Sequence, residues 1–288
     1  MSIRTKISLT SASISANHAL VRQLDDEVDQ AAVAFGDKLL LRIDPRDVRR
    51  TAENPTGRKC VHYASPNRDP LLFTGSGVSV ETISGKYAGR EVFKLTSTGD
   101  AGNGTHSDLT VGPKSLNNRN AFSIFGVAHY NADMLGTSGF HTLIGMYRDR
   151  STLETAIAHQ FVSGINYLSV YSDQGDGNGQ NHILDASTVL AAGEPFVYLL
   201  IVYPYLPRVK LYVNSLDAPL ITSNISTAPG VPEAGAMEMY IGHLTASEQM
   251  WSGAHGRGYV IAGGAVDSWG KDRSEMLIAA LKSYYAIA

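Results

Sequence analysis

Phe196-Val197-Tyr198-Leu199-Leu200-Ile201-Val202-Tyr203, followed by Pro204 and Pro207 and then by Arg208-Val209-Lys210-Leu211-Tyr212-Val213-Asn214, is the stretch that decides the fold. The first run is continuously apolar. It stops far short of the ~20 residues that a membrane-spanning helix needs, and prolines follow it, so it reads as a β-favouring run; Ser123 to Ala128 is likewise apolar enough for a central strand. The second run alternates apolar and polar positions and suits a half-exposed strand. Similar runs recur outward from this pair: Leu71 to Phe73, Val78 to Ile83, Val92 to Leu95, Ala121 to His129, His141 to Tyr147, Ala156 to Phe161, Tyr167 to Tyr171, Ala236 to Ile241 and Gly258 to Val266. Gly, Pro, Asn, Asp or Ser separate most of them. Such punctuation, with 28 glycines and 11 prolines in 288 residues, predicts an all-β fold: a two-sheet antiparallel sandwich or jelly roll.

The composition is that of a globular chain with a sizeable core, at 43% hydrophobic and 18% charged residues. Basic residues number 24 and acidic ones 27, so the excess charge needed to track nucleic-acid phosphates is missing. Cys60 is the only cysteine, which excludes an intrachain disulfide framework. Met1-Ser2-Ile3-Arg4-Thr5-Lys6 leads into Ser/Thr-rich sequence without an apolar signal core. The expectation is therefore synthesis in a cytoplasm and exit by lysis or a non-classical route. Without a signal peptide, the glycosylation patterns at Asn103-Gly104-Thr105 and Asn224-Ile225-Ser226 carry no weight.

The N-terminal part has a different character. Ser15-Ala16-Asn17 reads as the cap of a helix over residues 17–36. Leu20, Leu24, Val28, Ala31, Ala32 and Phe35 lie on one face, Asp25, Asp26, Glu27, Asp29 and Gln30 on the other, and Gly36 is the stop. A strand is expected from Lys38 to Ile43, then an extended polar connector through Pro55, Gly57, Pro66 and Pro70. Two readings of the helix stay open: it packs on its own domain, or its stripe meets copies of itself or a partner. The expected division is residues 1–70 as an attachment segment and 71–288 as the sandwich domain. Lys271 to Glu275 opens a terminal helix, with Met276, Leu277, Ala280, Leu281 and Tyr284 at helical spacing; it is expected to cover an edge or end of the sandwich.

Several segments in order resemble the laminin-G-like jelly-roll branch of the concanavalin A-like lectin/glucanase superfamily, over about residues 72–288. Asn120 to Val127 resembles its early core strand and Thr142-Leu143-Ile144-Gly145 the next one. Glu194 to Tyr203 sits where the branch carries a Gly-x-Trp start and a buried strand. Leu211-Tyr212-Val213-Asn214 resembles its strand-and-turn motif, and Met239-Tyr240-Ile241-Gly242 the following strand. Gly258 to Ala262, Asp267, Ser274-Glu275 and Leu281 to Tyr285 resemble its close. Phe196 stands in place of the usual tryptophan, and Ser215 in place of the glycine after Asn214.

The resemblance implies lectin-like binding, with calcium beside the glycan site in many relatives. The glucanases of the superfamily carry Glu-x-Asp-x-x-Glu on one strand, which sets two carboxylates across a glycosidic bond. No such strand is present here. Gly-x-Ser-x-Gly, His-Glu-x-x-His and a phosphate-cradling glycine loop are missing too. Cys60 beside His62 is no evidence of a nucleophile. Asp173, Asp176, Asn178 and Asn181, in a loop rich in Gly, offer the hard oxygen donors that calcium prefers; the same residues also serve an ordinary turn. Asp100 to Gly104 has similar character.

For a glycan, aromatic faces flanked by polar groups are the candidates: Trp251 with Gln249, His255 and Arg257, and also Trp269 and Tyr171. A lone Trp in such a fold also serves as a core plug. The nine histidines show no metal-ligand spacing.

The function expected is that of a non-enzymatic virion structural protein, most simply of a bacteriophage: a capsid decoration, head fibre, or tail fibre or spike. Residues 1–70 would hold other virion proteins, a trimer is the oligomer considered, and the sandwich would meet a host-surface glycan. No nucleic-acid or membrane partner is expected. A free carbohydrate-binding lectin module is the alternative, and a glycan hydrolase a further one that the missing carboxylate strand disfavours.

Overall fold

The computed structural model describes residues 26–50, 58–60, 71–74, 78–96, 106–109, 120–148, 152–172, 180–186, 190–204, 209–222, 237–241 and 249–288. The deciding stretch forms two adjacent antiparallel strands, Phe196–Val202 and Val209–Val213. Every residue of the first is buried. Its alternate side chains enter two different cores: Phe196, Tyr198 and Leu200 one, Val197, Leu199 and Ile201 the other. Period-two geometry thus explains why a strand with both faces covered shows no polar alternation. Phe122–Tyr130 behaves in the same way, as expected for a central strand.

Strands are numbered along the chain. The first sheet runs β15 (Ile221–Thr222), β14 (Val209–Val213), β13 (Phe196–Val202), β8 (Phe122–Tyr130), β18 (Gly253–Ala262), β6 (Glu91–Leu95) and β5 (Val78–Thr82), and β1 (Leu39–Ile43) also pairs with β18. The second runs β12 (Gln180–Asp185), β11 (Ile165–Ser172), β10 (Thr152–Val162), β9 (Phe140–Arg148), β16 (Met237–Ile241), β7 (His106–Leu109), β4 (Leu71–Thr74), β3 (Arg58–Cys60) and β2 (Val48–Arg50). A parallel two-residue strand, β17 (Gln249–Met250), joins β9. All other pairings are antiparallel, which makes a two-sheet sandwich.

One core fills the space between the sheets, with Ile124, Phe196 and Leu200 from the first and Leu143, Ile157 and Leu168 from the second. The other lies between the first sheet and two helices, α1 (Glu27–Val33) and α2 (Lys271–Tyr285). Burying each such aliphatic or aromatic side chain contributes about 1.5–3 kcal/mol before chain entropy is counted.

The helices correct two expectations. Asp26 caps α1, its Oδ1 accepting from the Asp29 N–H at 3.0 Å, so this helix starts well after the cap expected at residues 15–17, which lie outside the described residues. Val28, Ala31, Ala32 and Phe35 of the expected stripe bury against the chain's own sheet and α2. Asp29, expected on the solvent face, is also buried, because Arg42 and Tyr259 bond it. The terminal helix α2 covers a face of the first sheet and not its edge. Leu277, Ile278, Leu281 and Tyr285 enter the helix-side core. The strand pairing also crosses the division expected near residue 71, since β1 pairs with β18 and β2–β3 extend from β4.

Candidate functional site

Burial overturns the aromatic platform expected around Trp251. The Trp251 side chain is fully buried where the chain crosses from β17 in the second sheet to β18 in the first. Its Nε1–H donates to the His129 carbonyl at 2.7 Å, and its ring meets Tyr130 edge-on at 6.0 Å. A ring enclosed on all sides offers no face to a sugar; Trp251 is the core plug.

His255 and Arg257 are buried as well. His255 Nδ1 donates to the Gly256 carbonyl at 2.8 Å, so Nε2 accepts the Tyr198 hydroxyl proton at 2.7 Å. Arg257 reaches Asp26 through both terminal nitrogens, at 2.8 and 2.5 Å. Tyr171 is half-buried on β11, in the second sheet, edge-on to Phe140 at 6.5 Å. Asp173, Asp176 and Asn178 lie outside the described residues. Asn181 falls on β12 opposite Tyr171. Among the described residues, no group of three or more His, Cys, Asp or Glu is arranged for a metal ion.

A different site is present on the helix side of the first sheet: a cavity of about 320 Å³. Glu81 at the end of β5, Lys94 of β6, His129 and Asn131 at the end of β8 and Gly253 of β18 form its sheet wall. Thr82 closes β5, and the turn after it supplies Ile83, Ser84 and Lys86. Strand alternation places Glu81 and Lys94 on one face, opposite to the inward Val80 and Phe93. The turn itself is unusual, because Tyr87 and Ala88 hold φ of 55° and 49°. Left-handed backbone costs a non-glycine residue about 1–2 kcal/mol. Tyr87 is held there by its buried ring, edge-on to Tyr285 at 5.5 Å, and by its hydroxyl on His129.

A chain of hydrogen bonds with one direction supports the floor. Ser252 Oγ donates to the Asp133 carboxylate at 2.8 Å and so accepts from Asn131 Nδ2 at 3.2 Å. Asn131 Oδ1 then takes the proton of His129 Nε2 at 3.0 Å, and His129 Nδ1 accepts from the Tyr87 hydroxyl at 2.6 Å. His129 is thereby fixed as the neutral Nε2–H tautomer. Its pKa is lowered, first by burial and further by the nearby Lys86 ammonium; the Asn131 bond and Glu194 oppose the shift.

Two ammoniums face this neutral floor, and they differ in kind. Lys94 pairs with Glu81 at 3.1 Å, both half in solvent. The Ser79 hydroxyl, followed by Lys94, holds the Glu81 carboxyl below its usual range. Lys86 instead donates to the Gly193 carbonyl, with no carboxylate within ion-pair distance among the described residues. Gly193 holds φ of +81°, a left-handed backbone that favours glycine. The Gly193 N–H is anchored on the Tyr130 carbonyl at 2.6 Å. The arrangement can hold a small polar group through hydroxyls and ammoniums. Neither nitrogen of His129 is open as a proton acceptor. The sequence reading missed this site because it draws on four strands and a turn; the Ser84-Gly85 break before Lys86 is the one local sign.

No family model matches the sequence, and no curated protein matches it. Solved structures do. The botulinum neurotoxin serotype C1 binding domain superposes with a TM-score of 0.57 at 15% identity, covering 86% of this chain and 53% of that one. The binding domain of botulinum neurotoxin DC, in complex with rat synaptotagmin II, gives 0.55 at 16% identity, with 86% and 52% covered. The serotype D/C VPI 5993 binding domain gives 0.57 at 15% identity, with 86% and 53% covered. The chain spans about half the length of each. At this identity the likeness is one of fold: the chain is a two-sheet jelly-roll-like sandwich of the kind found in these binding domains.

Proposed function

We propose that the chain is a binding module, not an enzyme, that displays its sandwich on a virion and engages a host-surface glycan through the Glu81–Lys94–Lys86 cavity. The observation that carries this reading is the shared fold: the similar structures are binding domains, and one was solved holding a protein partner. The cavity supports it chemically, since its polar groups suit ligand capture and its one imidazole is engaged at both nitrogens. Residues 1–25 precede the first helix that is built into the sandwich, and they take the part of the attachment segment to other virion proteins. The module works as a homo-oligomer, with a trimer as the state to test.

The test is an array of bacterial surface polysaccharides probed with the whole chain and with a Lys86→Ala/Lys94→Ala double variant of unchanged melting temperature. The expected outcome is binding that the double variant loses. Absence of binding by the parent chain overturns the glycan reading. Immunogold labelling of purified particles tests display, and unlabelled particles overturn it.

A further inference from the structure

We infer that the cavity selects an acidic sugar unit, with the Lys86 ammonium as the anchor for the carboxylate. This inference rests on the binding-module reading and narrows it.

The two ammoniums of the cavity differ in how their charge is balanced. Lys94 is neutralised in place by Glu81, at 3.1 Å. Lys86 is positioned by a backbone carbonyl 107 residues away and meets no carboxylate within ion-pair distance among the described residues. A carbonyl orients an ammonium without cancelling its charge, which leaves two N–H donors for a partner. Such a group is suited to a carboxylate, because charge-assisted hydrogen bonds are shorter and stronger than neutral ones. The carbonyl belongs to Gly193, a residue in left-handed backbone, φ +81°, where glycine is favoured.

The remaining lining describes the body of the ligand. Thr82 and Ser84 present exposed hydroxyls at the rim, and Glu81 supplies an acceptor for ligand hydroxyl groups. None of the lining residues is Phe, Tyr or Trp, and the His129 imidazole is held in the floor at both nitrogens, so recognition is mainly polar. The volume of about 320 Å³ lies at the small end of ligand-sized cavities, which start at roughly 300 Å³, and fits one ring-sized unit.

The experiment is calorimetric titration of the whole chain with glucuronate, with glucose, and with acetate and inorganic phosphate as bare anions. Four chains are compared: the parent, Lys86→Gln, Glu81→Gln, and Lys271→Gln as a control for total charge on the distant helix α2. Glucuronate is expected to bind more tightly than glucose and than either bare anion. Lys86→Gln should weaken it by about tenfold or more, the loss of one charge-assisted contact. Glu81→Gln should strengthen it, by removing a like charge and releasing Lys94; a damaged fold cannot produce that gain. Lys271→Gln should change nothing. Equal binding of glucose and glucuronate overturns the inference, as does an unaffected Lys86→Gln or equal binding of phosphate. If the polysaccharide array binds the chain while glucuronate does not, the inference falls and the binding-module reading stands. If neither binds, both fall.

Discussion

Arg257 is the side chain on which the N-terminal segment closes. It lies fully buried on β18, and its Nε is 3.0 Å from Asp44 while its terminal nitrogens hold Asp26. Burial works against its charge, but Asp44, Asp26 and Asp29 outweigh that cost and keep the guanidinium protonated. The Tyr284 ring stacks on it at 4.1 Å. Among the described residues, Arg42 and Arg46 bring the cluster to three arginines against three aspartates. Truncating one member of a buried network leaves an uncompensated charge, and Arg257→Ala is expected to cost about 3–5 kcal/mol. Arg46 is 28% exposed, and Arg46→Ala should cost under about 1 kcal/mol, because solvent screens it. Urea denaturation of the two variants measures the contrast; equal losses would mean that the cluster is not a closed network. The sequence placed Asp26 and Asp29 on a charged helix face, Arg42 in a strand, Asp44 and Arg46 at the start of a connector and Arg257 beside a glycan, since nothing local marks a carboxylate that pairs 231 residues away.

The hairpin that joins β10 to β11 turns through Ser163 and Gly164, with φ of 54° and 85°. Two consecutive left-handed residues make the tight turn whose twist matches the flanking strands. Glycine bears this without strain and serine does not. Ser163→Gly should therefore stabilise the chain by roughly 0.5–1 kcal/mol, and Gly164→Ala should destabilise it by at least as much. Thermal melts of both variants check the signs. Elements of this kind were legible in the sequence: β8, β13 and β14 follow from apolar runs, and α2 from helical spacing. Three of the unread ones share a cause. β2, β3 and β7 are three or four residues long, too short for a period to show, and Arg58–Cys60 is held in place by pairing with β2 and β4. The glycan platform failed for a related reason. Gln249, Trp251, His255 and Arg257 are neighbours in sequence, but they straddle a crossover between sheets, and strand geometry carries three of their side chains into the interior. The cavity that replaced them is assembled from segments far apart along the chain, so only the folded sheet brings Glu81, Lys86 and His129 together.

Buried histidines at separate points of the sandwich tie its stability to pH. His255 has its pKa lowered from the ordinary 6.5 to about 4, chiefly by burial against the Tyr198 ring, with its bond to the Gly256 carbonyl opposing. His159, in the second sheet, is likewise lowered to about 4, by burial first and then by the His141 ring beside it. His129 is shifted in the same direction. In the unfolded chain these rings recover their ordinary affinity for protons. As pH falls through the ordinary value, the unfolded state therefore takes up protons that the folded state refuses, and stability drains away; above that value the contribution is complete. For His255 alone the loss by about pH 4 is on the order of 3 kcal/mol. Two such rings bring it near the whole stability of an ordinary domain, about 5–15 kcal/mol. The melting temperature should thus be flat between about pH 8 and 7 and fall steeply between about pH 6 and 4.5, before most carboxylates titrate. His255→Gln keeps a group able to bond Tyr198 but cannot be protonated, so its melting temperature should start lower and fall less over that interval. A parent chain whose melting temperature is unchanged down to about pH 4.5 would show that the imidazoles are reached by water in the native sandwich.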